Sequence, residues 1–176
     1  MPYAQGELDG LCGVYSIVNA METTIAGWNA MDAEGLFQHL TAQLGAQGRL
    51  HTAMAQGIGV RELCRLIDHA GTYLLQKYGL HLERRIACKT YTPLSHFWQR
   101  LKDHLQTPGQ TAILGLSGKH RHWSCVNEVN LRTVHFADSG PYPLQRIYRA
   151  NCTTDQARGR RHHELETTQT ILLKIT

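Results

Sequence analysis

The spacing of apolar residues changes near residue 110, and this change limits the folds open to the chain. Before that point apolar side chains recur every three or four residues, as they do along one face of an α-helix. After it, short apolar runs alternate with turn residues, which is typical of antiparallel strands. A helical half followed by a strand-rich half predicts an α+β fold, in which helices pack on an antiparallel sheet.

The helical half is predicted to contain four main helices. The first begins near Cys12 and carries Val14, Ile17, Val18 and Met21 on one face. The second helix is predicted over 32–44, with Asp32 as its cap. The third is predicted over 60–69, and after Gly71 a further turn or two is predicted over 72–78. The fourth is predicted over 93–105. The glycine-rich segment 45–59 is predicted to be a loop.

The strand-rich half contains a series of short apolar runs separated by turns. Strands are predicted over 111–117, 122–129, 133–138, 144–148 and 170–175, with a weaker one over 81–88. The segment 150–169 shows no periodicity and is predicted to be irregular.

Size and charge narrow the functional classes. The 176 residues suit a single domain over 1–176. A net charge of +4 is too small for a dedicated nucleic-acid binder, and no apolar run is long enough for a membrane span. The five cysteines form an odd, scattered set without a C-x-x-C pair, and no signal peptide precedes them. We therefore expect reduced thiols in a cytoplasmic, reducing compartment.

Cys12 is the strongest candidate for chemistry. It lies between Gly10 and Gly13, at the start of the first predicted helix. Unpaired backbone N–H groups and the positive end of the helix dipole favour a thiolate over a thiol at this place. The position predicts a cysteine nucleophile.

A cysteine nucleophile needs a base, and the base needs a group that orients it. His122 begins the predicted strand 122–129, and Asp138 ends the next strand. Because two antiparallel strands joined by a short turn bring the start of one beside the end of the other, we expect these two residues to be neighbours. Two other histidines, His120 in a loop and His135 within a strand, have no such partner.

Three further features complete the predicted site. Gln5 and the backbone N–H of Cys12 are candidates for stabilising an oxyanion. Gly10 and Gly13 would allow a substrate backbone to approach closely. Trp123, next to His122, would line the substrate site and shield the bond between His122 and Asp138 from water.

These residues together resemble the papain-like cysteine peptidases. The segment 5–13, with Gln5, Glu7, Asp9 and Cys12-Gly13, most resembles the bacteriocin-processing, double-glycine branch, which uses an Asp after its His. The resemblance implies that Cys12 is the nucleophile, His122 the base, Asp138 its orienting group and Gln5 an oxyanion donor. It is specific only over 5–20, 120–126 and 134–140.

The resemblance also implies a partner and a reaction. It implies a papain-like fold and an endopeptidase acting on a protein or peptide after small residues, Gly-Gly among them, without a cofactor. The chain departs from these relatives because two residues separate Asp9 from Cys12 and because it carries no transmembrane transporter. A small peptidase of this kind suits a bacterial effector or toxin, for which we expect a cognate inhibitor protein.

Other interpretations use the same residues. A deamidase, a transglutaminase-like enzyme or an acyltransferase would share the Cys-His-Asp set. A binding module with an inert Cys12 would use the basic segment 158–163 against an acidic partner. A zinc site is not expected, because the histidines and cysteines lack the paired spacing of structural zinc ligands.

Overall fold

The computed structural model describes residues 9–90, 92–118, 121–140, 144–154 and 162–176. Within these ranges the chain forms five α-helices and eight strands. The helices are α1 (Cys12–Thr24), α2 (Ala30–Ala46), α3 (Leu50–Gln56), α4 (Val60–Tyr78) and α5 (Leu94–Leu105). The strands are β1 (Leu82–Ile86), β2 (Gln110–Ser117), β3 (His122–Val129), β4 (Thr133–Ala137), β5 (Arg146–Tyr148), β6 (Cys152–Thr154), β7 (His163–Leu165) and β8 (Ile171–Ile175).

The strands form one sheet whose main path runs β1-β8-β2-β3-β4-β5. Every pair along this path is antiparallel, and β7 adds to β2 in the same sense, whereas β6 and β7 pair in parallel. The predicted α+β class is therefore confirmed. The single-domain boundary of 1–176 stays a prediction.

The sheet has an apolar cluster on each face. On one face Trp123 and Cys125 pack with residues of α1, α2 and α4. On the other face Val126 and Leu114 pack against Phe97 and neighbouring residues of α5. Alternation along β3 sends successive side chains to the two clusters, so the sheet is held between a helical layer and α5.

The helix predictions need three corrections. The segment 45–59 is not a continuous loop, because α3 forms within it and buries Ala53. The helix predicted to break at Gly71 is continuous over Val60–Tyr78 and ends at Gly79, which adopts the left-handed conformation. The cap of α2 is Asn29 rather than Asp32, which lies three residues into the helix and completes a capping box.

One strand region was also predicted wrongly. The segment 150–169, predicted to be irregular, contains β6 and β7. Both are three residues long, and the pairing of β7 with β2 brings Leu165 beside Leu116. A strand that short has too little periodicity to detect, and it forms here because a partner strand is already in place.

Candidate active site

Cys12 is the first residue of α1. The turn before it is fixed by the carboxylate of Asp9, whose Oδ1 accepts a hydrogen bond from the N–H of Leu11 at 3.0 Å. Cys12 is buried, with 8% of its surface exposed, and its side chain lines a cleft. The predicted position of this cysteine at a helix start is confirmed.

His122 and Asp138 are in direct contact, as the sequence predicts. The imidazole Nε2 of His122 lies 2.6 Å from Oδ1 of Asp138. The register of β3 and β4, in which Cys125 faces Ala137, continued by one pair puts Asp138 opposite Ser124. His122 and Asp138 are then diagonal neighbours on one face of the sheet, a distance that long side chains bridge.

The carboxylate of Asp138 is held on both oxygens. Its Oδ2 accepts hydrogen bonds from the backbone N–H of Leu144 at 2.7 Å and of Gly140 at 3.3 Å. Its side chain is 2% exposed, and that of His122 is 18% exposed. The backbone N–H groups leave Oδ1 directed at the imidazole, so the orientation of His122 is set by a fixed group.

The electrostatics of the pair favour a charged imidazole. Burial lowers the pKa of His122, but the hydrogen bond and charge of Asp138, together with the nearby Cys12 side chain, outweigh it and raise this pKa to about 9. Burial raises the pKa of Asp138, yet the hydrogen bond and charge of His122 and the Leu144 N–H bring it below its ordinary value. The site is built to hold an imidazolium beside a carboxylate.

This arrangement assigns the two ring nitrogens of His122 to different tasks. Nε2 is engaged by Asp138, so Nδ1 is the nitrogen available for proton exchange with the Cys12 side chain. A carboxylate that accepts a hydrogen bond from the Nε2–H group fixes the tautomer in this way. A thiol, an oriented imidazole and a buried carboxylate can perform nucleophilic acyl transfer.

Cys12 and His122 line a cleft of about 150 Å³. One part of its lining is the end of α3 and the connection to α4, residues 56–59, and another part is formed by the ends of β2 and β3 with Glu166 and Gln169. Arg121 and Glu166 bring opposite charges to the cleft.

Trp123 connects two parts of the cleft lining. Its indole Nε1–H donates a hydrogen bond to the carbonyl oxygen of Ile58 at 2.8 Å. Its ring lies over Gly115, where an added Cβ would come within 2.8 Å of a ring atom. Trp123 lines the cleft, and its hydrogen bond also ties β3 to the segment between α3 and α4.

Gly10 and Gly13 are closely surrounded by other parts of the chain. An added Cβ at Gly10 would lie 2.8 Å from the backbone of Ala53 and of Gly57, and one at Gly13 would lie 2.6 Å from the side chain of Ile58. The backbone N–H of Gly10 also donates to the carbonyl of Met54 at 2.7 Å. Both glycines therefore allow close packing within the chain, and their predicted role in substrate approach stays a prediction.

Gln5, the predicted oxyanion donor, lies outside the described residues, as do His120 and residues 158–161 of the basic segment. The backbone N–H of Cys12 has no hydrogen-bond acceptor among the residues that the structure describes. It lies at the N-terminus of α1, where such groups bind anions. This N–H remains a candidate for the oxyanion.

Sequence reasoning missed two buried polar residues on α1. Ser16 is 1% exposed and Asn19 is fully buried, and both hydrogen-bond to carbonyl groups of the sheet. Their spacing was the available signal, because positions four and seven residues after Cys12 share its face of the helix.

Neither a cluster of metal ligands nor a membrane-spanning helix is found among the described residues. Over the described ranges, no group of three or more metal-ligating side chains comes together. No helix among these residues has the length and apolar character needed to cross a bilayer.

The comparisons with known proteins extend only to structure. No protein-family model matches the chain, and no curated sequence is significantly similar to it. Among solved structures, the chain is similar to the peptidase domain of Streptococcus ComA, a bifunctional ABC transporter involved in a quorum-sensing pathway. The TM-score is 0.54 at 12% identity, covering 99% of this chain and 96% of that one. At this identity the likeness concerns the fold, which is papain-like.

Proposed function

We propose that this protein is a cysteine endopeptidase in which Cys12 is the nucleophile, His122 the general acid and base, and Asp138 the group that orients His122. One observation carries the proposal: the 2.6 Å hydrogen bond between His122 and a buried Asp138, next to a cysteine that begins α1 at a cleft. The peptidase fold of the ComA domain supports the same reaction class.

In the first half of the reaction, the Cys12 thiolate attacks the scissile carbonyl carbon and forms a carbon–sulfur bond. The carbonyl oxygen becomes an oxyanion, for which the Cys12 backbone N–H and Gln5 are the proposed donors. The His122 imidazolium then passes its Nδ1 proton to the amide nitrogen as the carbon–nitrogen bond breaks. A thioester and a free amine remain.

In the second half, neutral His122 takes a proton from water through Nδ1, and the hydroxide attacks the thioester carbonyl. The carbon–sulfur bond breaks and returns the thiolate beside an imidazolium. Asp138 stays ionised throughout, because it holds the imidazole by a hydrogen bond without accepting its proton.

The substrate is proposed to be a protein or peptide with small residues before the scissile bond, Gly-Gly among them. The small volume of the cleft, about 150 Å³, supports this specificity, and Trp123 and residues 56–59 are among its lining residues. A role as a bacterial effector or toxin with a cognate inhibitor is proposed from the sequence resemblance alone.

The function is tested by mass spectrometry of peptide libraries and cell lysate proteins incubated with the enzyme. Wild-type protein is compared with Cys12→Ala and with Cys64→Ala, a matched control on α4 away from the cleft. We expect new peptide termini with wild type and Cys64→Ala, absent with Cys12→Ala, and preceded by small residues.

The same experiment separates the alternatives. Conversion of Gln to Glu, or a new isopeptide or acyl linkage, without new termini would identify a deamidase, a transglutaminase-like enzyme or an acyltransferase. Identical products from wild type and Cys12→Ala would exclude Cys12 as a nucleophile. Cleavage after large residues would remove the proposed specificity while leaving the peptidase assignment.

A further inference from the structure

Three residues on one face of α1 have polar side chains directed at the sheet. Cys12, Ser16 and Asn19 are separated by four and three positions, which places them on one side of the helix. All three are buried. Burying a serine and an asparagine costs free energy unless each finds a hydrogen-bond partner.

Their hydrogen bonds end beside the two residues that act on Cys12. The hydroxyl of Ser16 donates to the carbonyl oxygen of Trp123 at 2.8 Å, and Trp123 directly follows His122. The amide Nδ2 of Asn19 donates to the carbonyl oxygen of Ala137 at 3.3 Å, and Ala137 directly precedes Asp138. One helix face therefore contacts β3 and β4 one residue away from the proposed base and its orienting group.

Apolar packing around these bonds is less specific. Val14, Ile17 and Val18 pack α1 into the core, but hydrophobic contact is non-directional and tolerates small shifts of a helix along its axis. A hydrogen bond to a strand carbonyl restricts distance and angle. Two such bonds, about one helical turn apart, fix both the rotation and the axial position of α1.

We propose that Ser16 and Asn19 are positioning residues that hold the Cys12 end of α1 in register with His122 and Asp138. The inference rests on the proposed function of these three residues. A displacement of the nucleophile by about 1 Å is enough to reduce a reaction rate about 100-fold, so the two hydrogen bonds would affect the chemistry without touching the substrate.

The test measures alkylation of Cys12 by iodoacetamide across pH 5–10, with Cys64 as an internal reference for opening of the fold. The variants are Ser16→Ala and Asn19→Leu, which remove the donors, and Ser16→Thr, which keeps a hydroxyl. Ile17→Val is the matched control, since Ile17 is a buried α1 residue that makes neither bond. Thermal unfolding is measured for every variant, and alkylation is measured where all are folded.

We expect Ser16→Ala and Asn19→Leu each to lower the rate of Cys12 alkylation at pH 6 about tenfold or more, because each variant would displace Cys12 relative to His122. The alkylation rate of Cys64 should not change in these variants. Ser16→Thr should keep most of the wild-type Cys12 rate. Ile17→Val should keep the full Cys12 rate despite a lower melting temperature. Lower melting temperatures with an unchanged Cys12 profile in both donor variants would overturn the inference. If wild-type Cys12 reacts no faster than Cys64 at pH 6, the proposed function itself fails, and the inference with it.

Discussion

Oδ1 of Asp138 lies 2.6 Å from Nε2 of His122, while Oδ2 of Asp138 accepts hydrogen bonds from two backbone N–H groups. In each of these hydrogen bonds the partner of the carboxylate is an N–H donor. An amide in its place would direct an NH₂ group either at the imidazole N–H or at the N–H groups of Leu144 and Gly140. The site therefore requires a carboxylate, although a neutral group could in principle orient an imidazole.

Asp138→Asn is accordingly expected to lower kcat/KM about 100-fold or more, because it disturbs the tautomer and removes the charge that favours the imidazolium. It should also lower the melting temperature, since donor faces donor in a buried place. Steady-state kinetics and thermal unfolding measure both effects. Activity within threefold of wild type would show that the carboxylate does not orient the base.

The raised pKa of His122 predicts how stability depends on pH. A group whose pKa is higher in the folded state contributes stability fully below its unfolded value near 6.5 and loses it as pH rises through about 9. Relative to His122→Gln, wild type should lose on the order of 2 kcal/mol of unfolding free energy across this window. Urea unfolding of both proteins at pH 6, 7.5 and 9.5 measures the difference. If the free energies of unfolding of the two proteins change with pH in the same way, the raised pKa of His122 is contradicted.

Trp123→Phe tests the connection between two parts of the cleft lining. The variant keeps a ring over Gly115 but leaves the carbonyl of Ile58 without the indole donor. We expect a loss of about 1–2 kcal/mol in stability and a rise in KM larger than the fall in kcat, because the cleft lining at residues 56–59 loosens. Trp98→Phe, in the α5 cluster on the other face of the sheet, is the control and should leave KM unchanged. Equal KM values for both variants would refute the role of Trp123.

The two glycines beside Cys12 give a prediction about packing. Gly10→Ala should destabilise the protein by about 1–3 kcal/mol, because its Cβ would meet three backbone atoms that cannot move independently. Gly45→Ala, in α2 with open space around it, should instead stabilise by about 0.5–1 kcal/mol. Chemical denaturation of both variants measures this contrast in sign, and a neutral Gly10→Ala would mean that the close approach to α3 is unimportant.

The sequence was informative where a local signal coincided with a topological one. Cys12 begins an apolar periodic segment, and His122 and Asp138 terminate consecutive strands, so both their elements and their proximity could be predicted. In contrast, α3 has seven residues and depends on contacts such as the Gly10 N–H to the Met54 carbonyl. A helix this short has little stability of its own, and its sequence carries little signal.

Ser16 and Asn19 show a second limit. Periodicity assigns polar residues on an amphipathic helix to solvent, yet α1 is buried on nearly all sides. Their partners are backbone carbonyls of β3 and β4, more than a hundred residues away in the chain, and a carbonyl carries no residue-specific signal. Similarly, the sequence does not show that the chain itself approaches Gly10 and Gly13 closely, because the approaching residues of α3 and Ile58 are distant in the sequence.

The most direct test of the central claim is the alkylation rate of Cys12 at pH 6 in wild type and in His122→Ala. Of the other four cysteines, Cys64 is partly exposed and the rest are buried, so Cys64 serves as the reference thiol. If Cys12 and His122 form the proposed pair, Cys12 reacts much faster than Cys64 in wild type, and His122→Ala abolishes the difference. Equal and slow labelling of Cys12 and Cys64, unaffected by His122→Ala, would contradict the account.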